Sequence, residues 1–381
     1  MAQRCAVVGV GQTHHKKRRD DVSMVGLIRE AAERALADAE CEWADIDALV
    51  MGKAPDAFEG IVQPELFLAD ALGAAGKPML RVHTAGSVGG STFIAGSHLI
   101  SSGIHERVLA LAWEKQSEGD AQWGLSSGQS GGVGAGGTFA PWVRGYIRDS
   151  GAPEYIGWMV AVKDRLNALK NPYAHLKIPD ITIEKVKESE MLWEPIRFLE
   201  SCPSSDGAAA AVLTSENAAQ GSPRKPAWVT ATAMRSELSQ FPGRDAVRPV
   251  AGLECARDVY RQAGITNPRA EIDVAELYVP FSWYEPMWLE GHEIAEPGGG
   301  WAMVDQGDTE LTGSFPVNPS GGVLSSNPIG ASGMLRFIEA ANQVRGEAGE
   351  HQVDGARTAL AQAYGGAAQY FAMGVLRSTK P

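Results

Sequence analysis

The small-residue turn Thr84-Ala85-Gly86-Ser87-Val88-Gly89-Gly90 opens a helical pattern and presents a hydroxyl, Ser87, that could attack an acyl carbon if a base stood beside it. No Ser-His-Asp arrangement is legible, and a serine at a helix start serves equally as a cap for free backbone amides. Four cysteines, Cys5, Cys41, Cys202 and Cys255, lie far apart with no C-x-x-C spacing, which argues against disulfides and a zinc site. Cys5 opens a strand, Cys202 precedes one and Cys255 lies in a helix, positions where free cysteine is usually buried and inert. His83 precedes the turn, either as a proton-transfer group or as a structural hydrogen-bonding residue. His14, His15, His105, His175, His292 and His351 read as surface or loop residues, and no pair has metal-ligand spacing, so no metal is expected. What remains is a set of phenols and an amide: Tyr278 at a strand end, Tyr364 ahead of Gly365-Gly366, and Asn327 closing a Gly/Ser-rich turn. Such groups transfer protons and hydrogen-bond an oxyanion, but they supply no covalent nucleophile. Each also has a packing explanation, since buried tyrosines with one hydrogen bond are common. The aromatic run Phe281, Trp283, Tyr284 and Trp288 divides the same way, between lining an apolar pocket and filling the core.

The elements that must position these groups alternate between strand and helix. Cys5–Val10 reads as a buried strand, with Gly9 and Gly11 in the turn after it, and a helix spans Val22–Ala39 with Asp21 placed to cap it. Ile46–Met51 is a strand, Pro64–Leu72 a helix and Met79–Val82 a short strand. The glycine turn then starts a helix reaching about Ser102, and Val108–Trp113 is the next strand. The order recurs: a strand at Trp228–Ala233, a helix ending at Gly264, and a strand at Ile272–Leu277. After these come the turn Pro319–Asn327, a helix from Pro328 to about Val344, and strands at Ala359–Ala363 and Phe371–Arg377. Ile272-Asp273 lies 226 residues (272 − 46) after Ile46-Asp47. Alternation of this kind predicts α/β layers with largely parallel sheets, and the repeat predicts a duplicated fold. Between the copies, an insertion at about 115–200 begins with the Gly/Ser-rich stretch Gly124–Gly137 and continues with helical patterns at Tyr155–Leu169 and Ile183–Ser189. An insertion of that length suits a lid over an active site.

The 381 residues are 44% apolar and 21% charged, an ordinary globular balance, and 34 Lys+Arg against 46 Asp+Glu give a net charge of −12. An acidic chain repels phosphate backbones, which excludes nucleic-acid binding as a default. The basic run His14-His15-Lys16-Lys17-Arg18-Arg19, partly neutralised by Asp20-Asp21, reads as a solvated loop, with contact to a CoA phosphate or an acidic partner as the alternative. No apolar run is long enough to span a membrane and the N-terminus is too polar for a signal peptide, so a reducing cytoplasm is the expected location. Gly9-Val10-Gly11 lacks the third glycine of a dinucleotide fingerprint.

Several blocks together resemble the thiolase superfamily, in its sterol-carrier or lipid-transfer branch: Tyr146–Gly151, Val162–Ala168, Asn171–His175, Cys202–Ala210, Glu276–Ser282, Asn318–Gly322 and Pro328–Gly333. The resemblance implies two βαβαβαββ halves in a layered α-β-α-β-α arrangement, residues 1–225 with the inserted loop region at about 115–200, and residues 226–381. It also marks four departures. Gly86 stands where the family has its nucleophilic cysteine at a helix N-terminus, and Tyr278 stands where it has the histidine that polarises a thioester oxygen. Asn327 replaces the histidine of the Gly-His-Pro turn, and Tyr364 replaces the second, proton-shuttling cysteine. Thiolysis through an acyl-enzyme loses its attacking atom in such a site.

The resemblance extends to actinobacterial steroid side-chain aldolases of this superfamily, which carry a tyrosine at the position of Tyr278. It implies a retro-aldol cleavage of the Cα–Cβ bond of a β-hydroxyacyl-CoA bearing a steroid-like acyl group. The catalytic candidates are then Tyr278, Asn327, Tyr364 and His83, with Gly86, Ser87, Trp283 and Gly365 at the substrate. The second tyrosine those aldolases place near Asn327 is absent from Ser325-Ser326-Asn327. CoA would enter as part of the substrate, with no tightly bound cofactor, and zinc only in a partner. The implied partners are a second thiolase-like subunit, as homodimer or heterodimer, and a small OB-fold/zinc-ribbon protein. The competing expectations are a non-catalytic acyl-CoA-binding or scaffold subunit and, third, a conventional thiolase or acyltransferase.

Overall fold

Asp47 and Asp273 perform the same task at two places in the chain. The Oδ2 of Asp47 accepts the amides of Glu106 and Arg107 at 2.8 and 2.9 Å, and the Oδ2 of Asp273 accepts those of Arg357 and Thr358 at 2.9 and 2.8 Å. Each carboxylate thus ties the start of one strand to the start of the parallel strand beside it. In this computed structural model the described residues are 3–54, 56, 61, 63–119, 134–238, 243–245 and 247–381. Of the expected Gly/Ser stretch Gly124–Gly137, residues 124–133 lie outside them, and Gly134–Gly137 open a helix instead of a flexible segment.

Eleven strands are present among the described residues: β1 (Cys5–Gln12), β2 (Ala48–Lys53), β3 (Met79–Val82), β4 (Arg107–Lys115), β5 (Met191–Trp193), β6 (Ile196–Arg197), β7 (Asp206–Ser215), β8 (Ala227–Ser236), β9 (Val274–Glu276), β10 (Thr358–Gly365) and β11 (Tyr370–Arg377). Nine form one sheet in the order β3-β2-β4-β7-β1-β8-β11-β10-β9. Read outward from the antiparallel β1–β8 seam, the two arms match: β1-β7-β4-β2-β3 on one side, β8-β11-β10-β9 on the other. Ala275 of β9 makes a parallel bridge to Val317, where the second arm would carry its counterpart of β3. The sheet is mixed and not largely parallel. Only β2–β3, β2–β4 and β9–β10 pair parallel, because β10 and β11 are joined by a short hairpin that can pair only antiparallel, and β7 likewise runs antiparallel to β4.

Helices complete the layers. α1 (Met24–Ala39) covers β1 and β7 from outside, and α2 (Val88–Ser101) packs inside, against β4 and β10. In the insertion come α3 (Gly134–Ser150) and α4 (Tyr155–Lys170), and then α5 (Val250–Ala263) covers β8 and β11. α6 (Tyr284–Gly291) follows Tyr278, and α7 (Ile329–Arg345) packs against α2 and against both arms of the sheet. The order α1, first arm of the sheet, α2 with α7, second arm, α5 is the expected α-β-α-β-α stack. Both faces of the sheet are therefore buried: Leu49, Met51, Leu109 and Leu111 face α1, while Val50, Val108 and Ala110 face the central helices. This is why the strands read as continuous apolar runs without alternation.

Local details depart from the sequence reading. Ser23, not Asp21, caps α1 by accepting the Gly26 amide at 3.1 Å, while Asp21 pairs with Arg19. Gly9 and Gly11 lie within β1, where a Cβ would meet the Ala35 and Ala31 carbonyls of α1 at 2.4 and 2.2 Å; they admit a helix and turn no chain. The basic run is the expected solvated loop at His14, Lys16, Lys17 and Arg18, which are exposed, but His15 and Arg19 are buried, Arg19 against Asp21 and Glu30. Within the insertion, α4 buries Lys163, Asp164, Arg165 and Asn167, and Lys163 Nζ donates to Glu285 (2.6 Å) and to the Val317 carbonyl (2.9 Å). That part of the insertion is built into the core instead of lying over it. No described helix is long and apolar enough to cross a membrane.

Candidate active site

Tyr278 leaves β9 on a backbone held from three sides. Its amide donates to Gln362 Oε1 (2.7 Å), its carbonyl accepts from Trp288 Nε1 (2.8 Å), and the preceding Leu277 amide donates to Asn318 Oδ1 (2.8 Å). Its hydroxyl then reaches the Asn327 side chain, donating to Oδ1 at 3.4 Å. Ser332 Oγ donates to the same oxygen at 2.8 Å, and Asn327 Nδ2 donates to Cys202 Sγ at 3.2 Å. The Asn327 main chain is pinned as well: its amide donates to Ser205 Oγ (3.1 Å) and its carbonyl accepts from Gln116 Nε2 (2.5 Å).

Gly86 faces this cluster from the N-terminus of α2. A Cβ placed on it would lie 3.9 Å from the Tyr278 hydroxyl and 3.2 Å from the Tyr364 carbonyl. Gly365 closes the other side, where a Cβ would come within 2.4 Å of the amides of both Gly86 and Ser87, so only glycine fits. Ala85, just before, holds a left-handed φ of 50°. None of these turn residues is a cysteine, and the helix directs its positive end at the space beside them.

The structure therefore gathers Tyr278, Asn327, Tyr364, Gly86, Ser87 and Gly365 around one point, and leaves His83 and Trp283 apart from it. His83 is exposed after β3 and makes none of the cluster's hydrogen bonds. Trp283 is 1% exposed, its indole set against Glu200 beneath Gly157, a packing position and no open wall. Phe281, Tyr284 and Trp288 are buried too, so the aromatic run belongs to the core. Ser87 caps nothing: its hydroxyl donates back to the Thr84 carbonyl at 2.7 Å, and no imidazole stands beside it. His15, His292 and His351 are buried, against the surface reading, and His175 Nδ1 lies 2.8 Å from Ser205 Oγ, behind Asn327.

Electrostatics fix the protonation states. Burial holds the Tyr278 phenol well above the ordinary tyrosine value, and the same cause lifts Tyr364, whose ring stands edge-on to Tyr278 at 5.2 Å and stacks on Tyr284 at 5.8 Å. Both are neutral acids near pH 7, able to give a proton and unable to take one. Burial pushes the Cys202 thiol up to about 11, so it is a thiol and no thiolate. Cys202 and Ser332 were not among the candidates that the sequence offered. Each stood in a quoted block, but their meeting at Asn327 spans 125 residues and five in sequence respectively, and the longer contact leaves no local signal. Among the described residues no group of His, Cys, Asp and Glu is arranged to hold a metal ion.

Comparisons with known proteins agree with this architecture. The family model for the thiolase C-terminal domain-like region matches residues 236–378. An acetyl-CoA acetyltransferase of Methanothermobacter thermautotrophicus is 32% identical over 376 residues, 95% of this chain and 96% of the relative. Human sterol carrier protein 2 is 32% identical over 396 residues, 94% of this chain and 69% of the relative. Among solved structures, an Ltp2-ChsH2(DUF35) aldolase superposes with a TM-score of 0.87 at 26% identity, covering 100% of this chain and 99% of the other. The chain belongs to the thiolase superfamily, in its sterol-carrier/lipid-transfer branch.

Proposed function

We propose that this chain is an acyl-CoA retro-aldolase that cleaves the Cα–Cβ bond of a β-hydroxyacyl-CoA with a steroid-like acyl group. The products are a short acyl-CoA and a ketone or aldehyde. The β-hydroxyl gives up its proton, the Cα–Cβ electron pair moves onto the α-carbon, and the thioester enolate that forms is then protonated. The observation that carries the reading is the Tyr278 hydroxyl facing Gly86 at the α2 N-terminus, a buried proton donor beside a position with no side chain. Tyr278 protonates the enolate, Asn327 holds its hydroxyl, and Tyr364 walls the space. Gly86, Ser87 and Gly365 border the thioester. The β-hydroxyl proton goes to a group outside the Tyr278–Asn327 pair, and with His83 apart from the cluster a partner subunit is the acceptor this reading calls for.

The likeness to the Ltp2-ChsH2(DUF35) aldolase supports both the reaction and a heteromeric assembly, which we extend to a small OB-fold/zinc-ribbon partner and a second thiolase-like subunit. The reading needs no resident cofactor beyond the CoA of the substrate, and it suits a cytoplasmic enzyme. The test supplies hydroxylated steroid-CoA thioesters with and without an OB-fold partner and looks for short acyl-CoA. Release of acetyl- or propionyl-CoA in either arm supports the proposal. No cleavage in both arms favours a non-catalytic acyl-CoA-binding or scaffold subunit.

A further inference from the structure

The polar side chains of α4 turn inward. Lys163, Arg165 and Asn167 are buried, and together with Asn171 at the helix end they follow the stretch 317–325 station by station. Lys163 Nζ donates to the Val317 carbonyl (2.9 Å), Asn167 Nδ2 to the Asn318 carbonyl (3.2 Å) and Asn171 Nδ2 to the Ser320 carbonyl (3.0 Å). Gly321, at a φ of 88°, lies so near α4 that a Cβ on it would meet the Ala168 Cβ at 2.7 Å. Beyond the helix, the His175 amide donates to Ser326 Oγ (2.9 Å) and the Leu176 amide to the Ser325 carbonyl (2.9 Å). A carbonyl only accepts and an amide N–H only donates, so the direction of every one of these bonds is fixed. The stretch they hold ends at Asn327.

Arg165 is the member of this row that grips two segments. Its Nη2 donates to the carbonyls of Ser201 (3.0 Å) and Leu199 (3.4 Å), and its Nη1 donates to Ser325 Oγ (3.4 Å), which donates onward to the Asp164 carbonyl at 3.2 Å. Ser201 precedes Cys202, whose sulfur lies 3.2 Å from Asn327 Nδ2, and Ser325 stands two residues before Asn327. The guanidinium is 1% exposed; Asp164 pairs with Lys163 instead, and among the described residues Arg165 forms no ion pair. Burial lowers it to about 10, so it is still a cation near pH 7. A buried charge with only neutral acceptors is poor value as a stabilising contact, whereas a planar fork of donors is suited to fixing two chain segments in one geometry.

We propose that Arg165 is a positioning residue that sets Asn327 opposite Tyr278 by joining the Ser201–Cys202 segment to the Ser325–Asn327 turn. The inference rests on the reading of Tyr278 and Asn327 as the proton-transfer pair, and it makes α4 of the insertion the template of that pair. The test compares Arg165→Met, which removes both fork and charge, with Arg165→Lys, which keeps one charged donor. On a β-hydroxyacyl-CoA that the wild type cleaves, Arg165→Met is expected to lose about tenfold or more in kcat with KM within about threefold of wild type, the pattern of a misplaced proton donor. Arg165→Lys is expected to fall between the two. Without substrate, backbone hydrogen exchange over 322–330 is expected to quicken about tenfold in Arg165→Met while β1 and β7 keep the wild-type rate. A wild-type kcat in folded Arg165→Met, exchange over 322–330 that does not change, or exchange that quickens equally in β1 and β7 overturns the proposal. If Arg165→Met does not fold, Ser325→Ala, which removes the receiving hydroxyl and keeps the cation, carries the same comparison. Quickened exchange confined to 322–330, with no cleavage by the wild type, supports the Arg165 brace and retires the enzymatic reading, so the two failures are distinct.

Discussion

The hydroxyl of Tyr278 faces the α-carbon of Gly86 across the space a side chain at residue 86 would enter, 3.9 Å from where its Cβ would lie. The phenol and the missing side chain are one arrangement. A bulkier residue 86 would crowd the hydroxyl, and without the hydroxyl the glycine would face only the Tyr364–Gly365 turn. On the proposed reading, the phenol delivers a proton to an acyl group held against the α2 N-terminus.

Tyr278→Phe keeps the ring contact to Tyr364 and removes the proton. We expect turnover of a cleavable acyl-CoA to fall by about 10²–10⁴, the usual worth of a positioned acid, with the melting temperature close to wild type. Steady-state rates together with a thermal melt check it; an unchanged rate removes Tyr278 from the mechanism.

Gly86→Ala and Gly365→Ala separate the site from the scaffold. The new methyl at residue 86 meets the Tyr364 carbonyl at 3.2 Å, whereas at residue 365 it meets two amide nitrogens at 2.4 Å. Gly86→Ala is expected to fold, losing about 1–3 kcal/mol, with turnover reduced. Gly365→Ala is expected to melt well below it or fail to fold. Melting curves of the two variants side by side test the order.

Much of this fold was legible in the residues. Ile46-Asp47 and Ile272-Asp273 announced the repeat, and the apolar runs marked strands buried on both faces. Strand direction was not legible, because the hairpin between β10 and β11 and the return of β7 are tertiary choices that alternation of strand and helix does not encode. At the site, Tyr278, Asn327, Tyr364 and Gly86 could be named from motif blocks. Cys202 could not, since its partner Asn327 lies 125 residues away and a cysteine before a buried strand looks inert. His83 and Trp283 were drawn in by their place in the chain, and the burial of one and the exposure of the other set them apart.

The repeated carboxylates give a prediction about stability. Asp47→Ala and Asp273→Ala each remove the acceptor of two exposed amides at a strand start, which water then satisfies, so each should cost about 0.5–1.5 kcal/mol, and the asparagine variants should recover most of it. Denaturant unfolding of the four variants checks this. A large cost at one site and none at the other would contradict the equivalence of the two arms.

Glu200 supplies a pH signature. Burial raises its carboxyl to about 7, against 4.5 in a free side chain, so between those values the folded state binds a proton that the unfolded state has released. Its contribution is present in full below pH 4.5, is lost as pH rises toward 7, and changes no further above it. Glu200→Gln does not titrate, so its stability relative to wild type should grow across that window, by on the order of 3 kcal/mol. Melting temperatures of both proteins from pH 4.5 to 8 measure the difference; a constant offset would contradict the burial argument.

The most direct measurement is the intact mass of the protein quenched during turnover of a β-hydroxyacyl-CoA that it cleaves. Proton transfer through Tyr278 predicts an unchanged mass at every quench time while short acyl-CoA accumulates. A species heavier by the acyl group, bound through Cys202, Ser87 or any other side chain, would contradict the account.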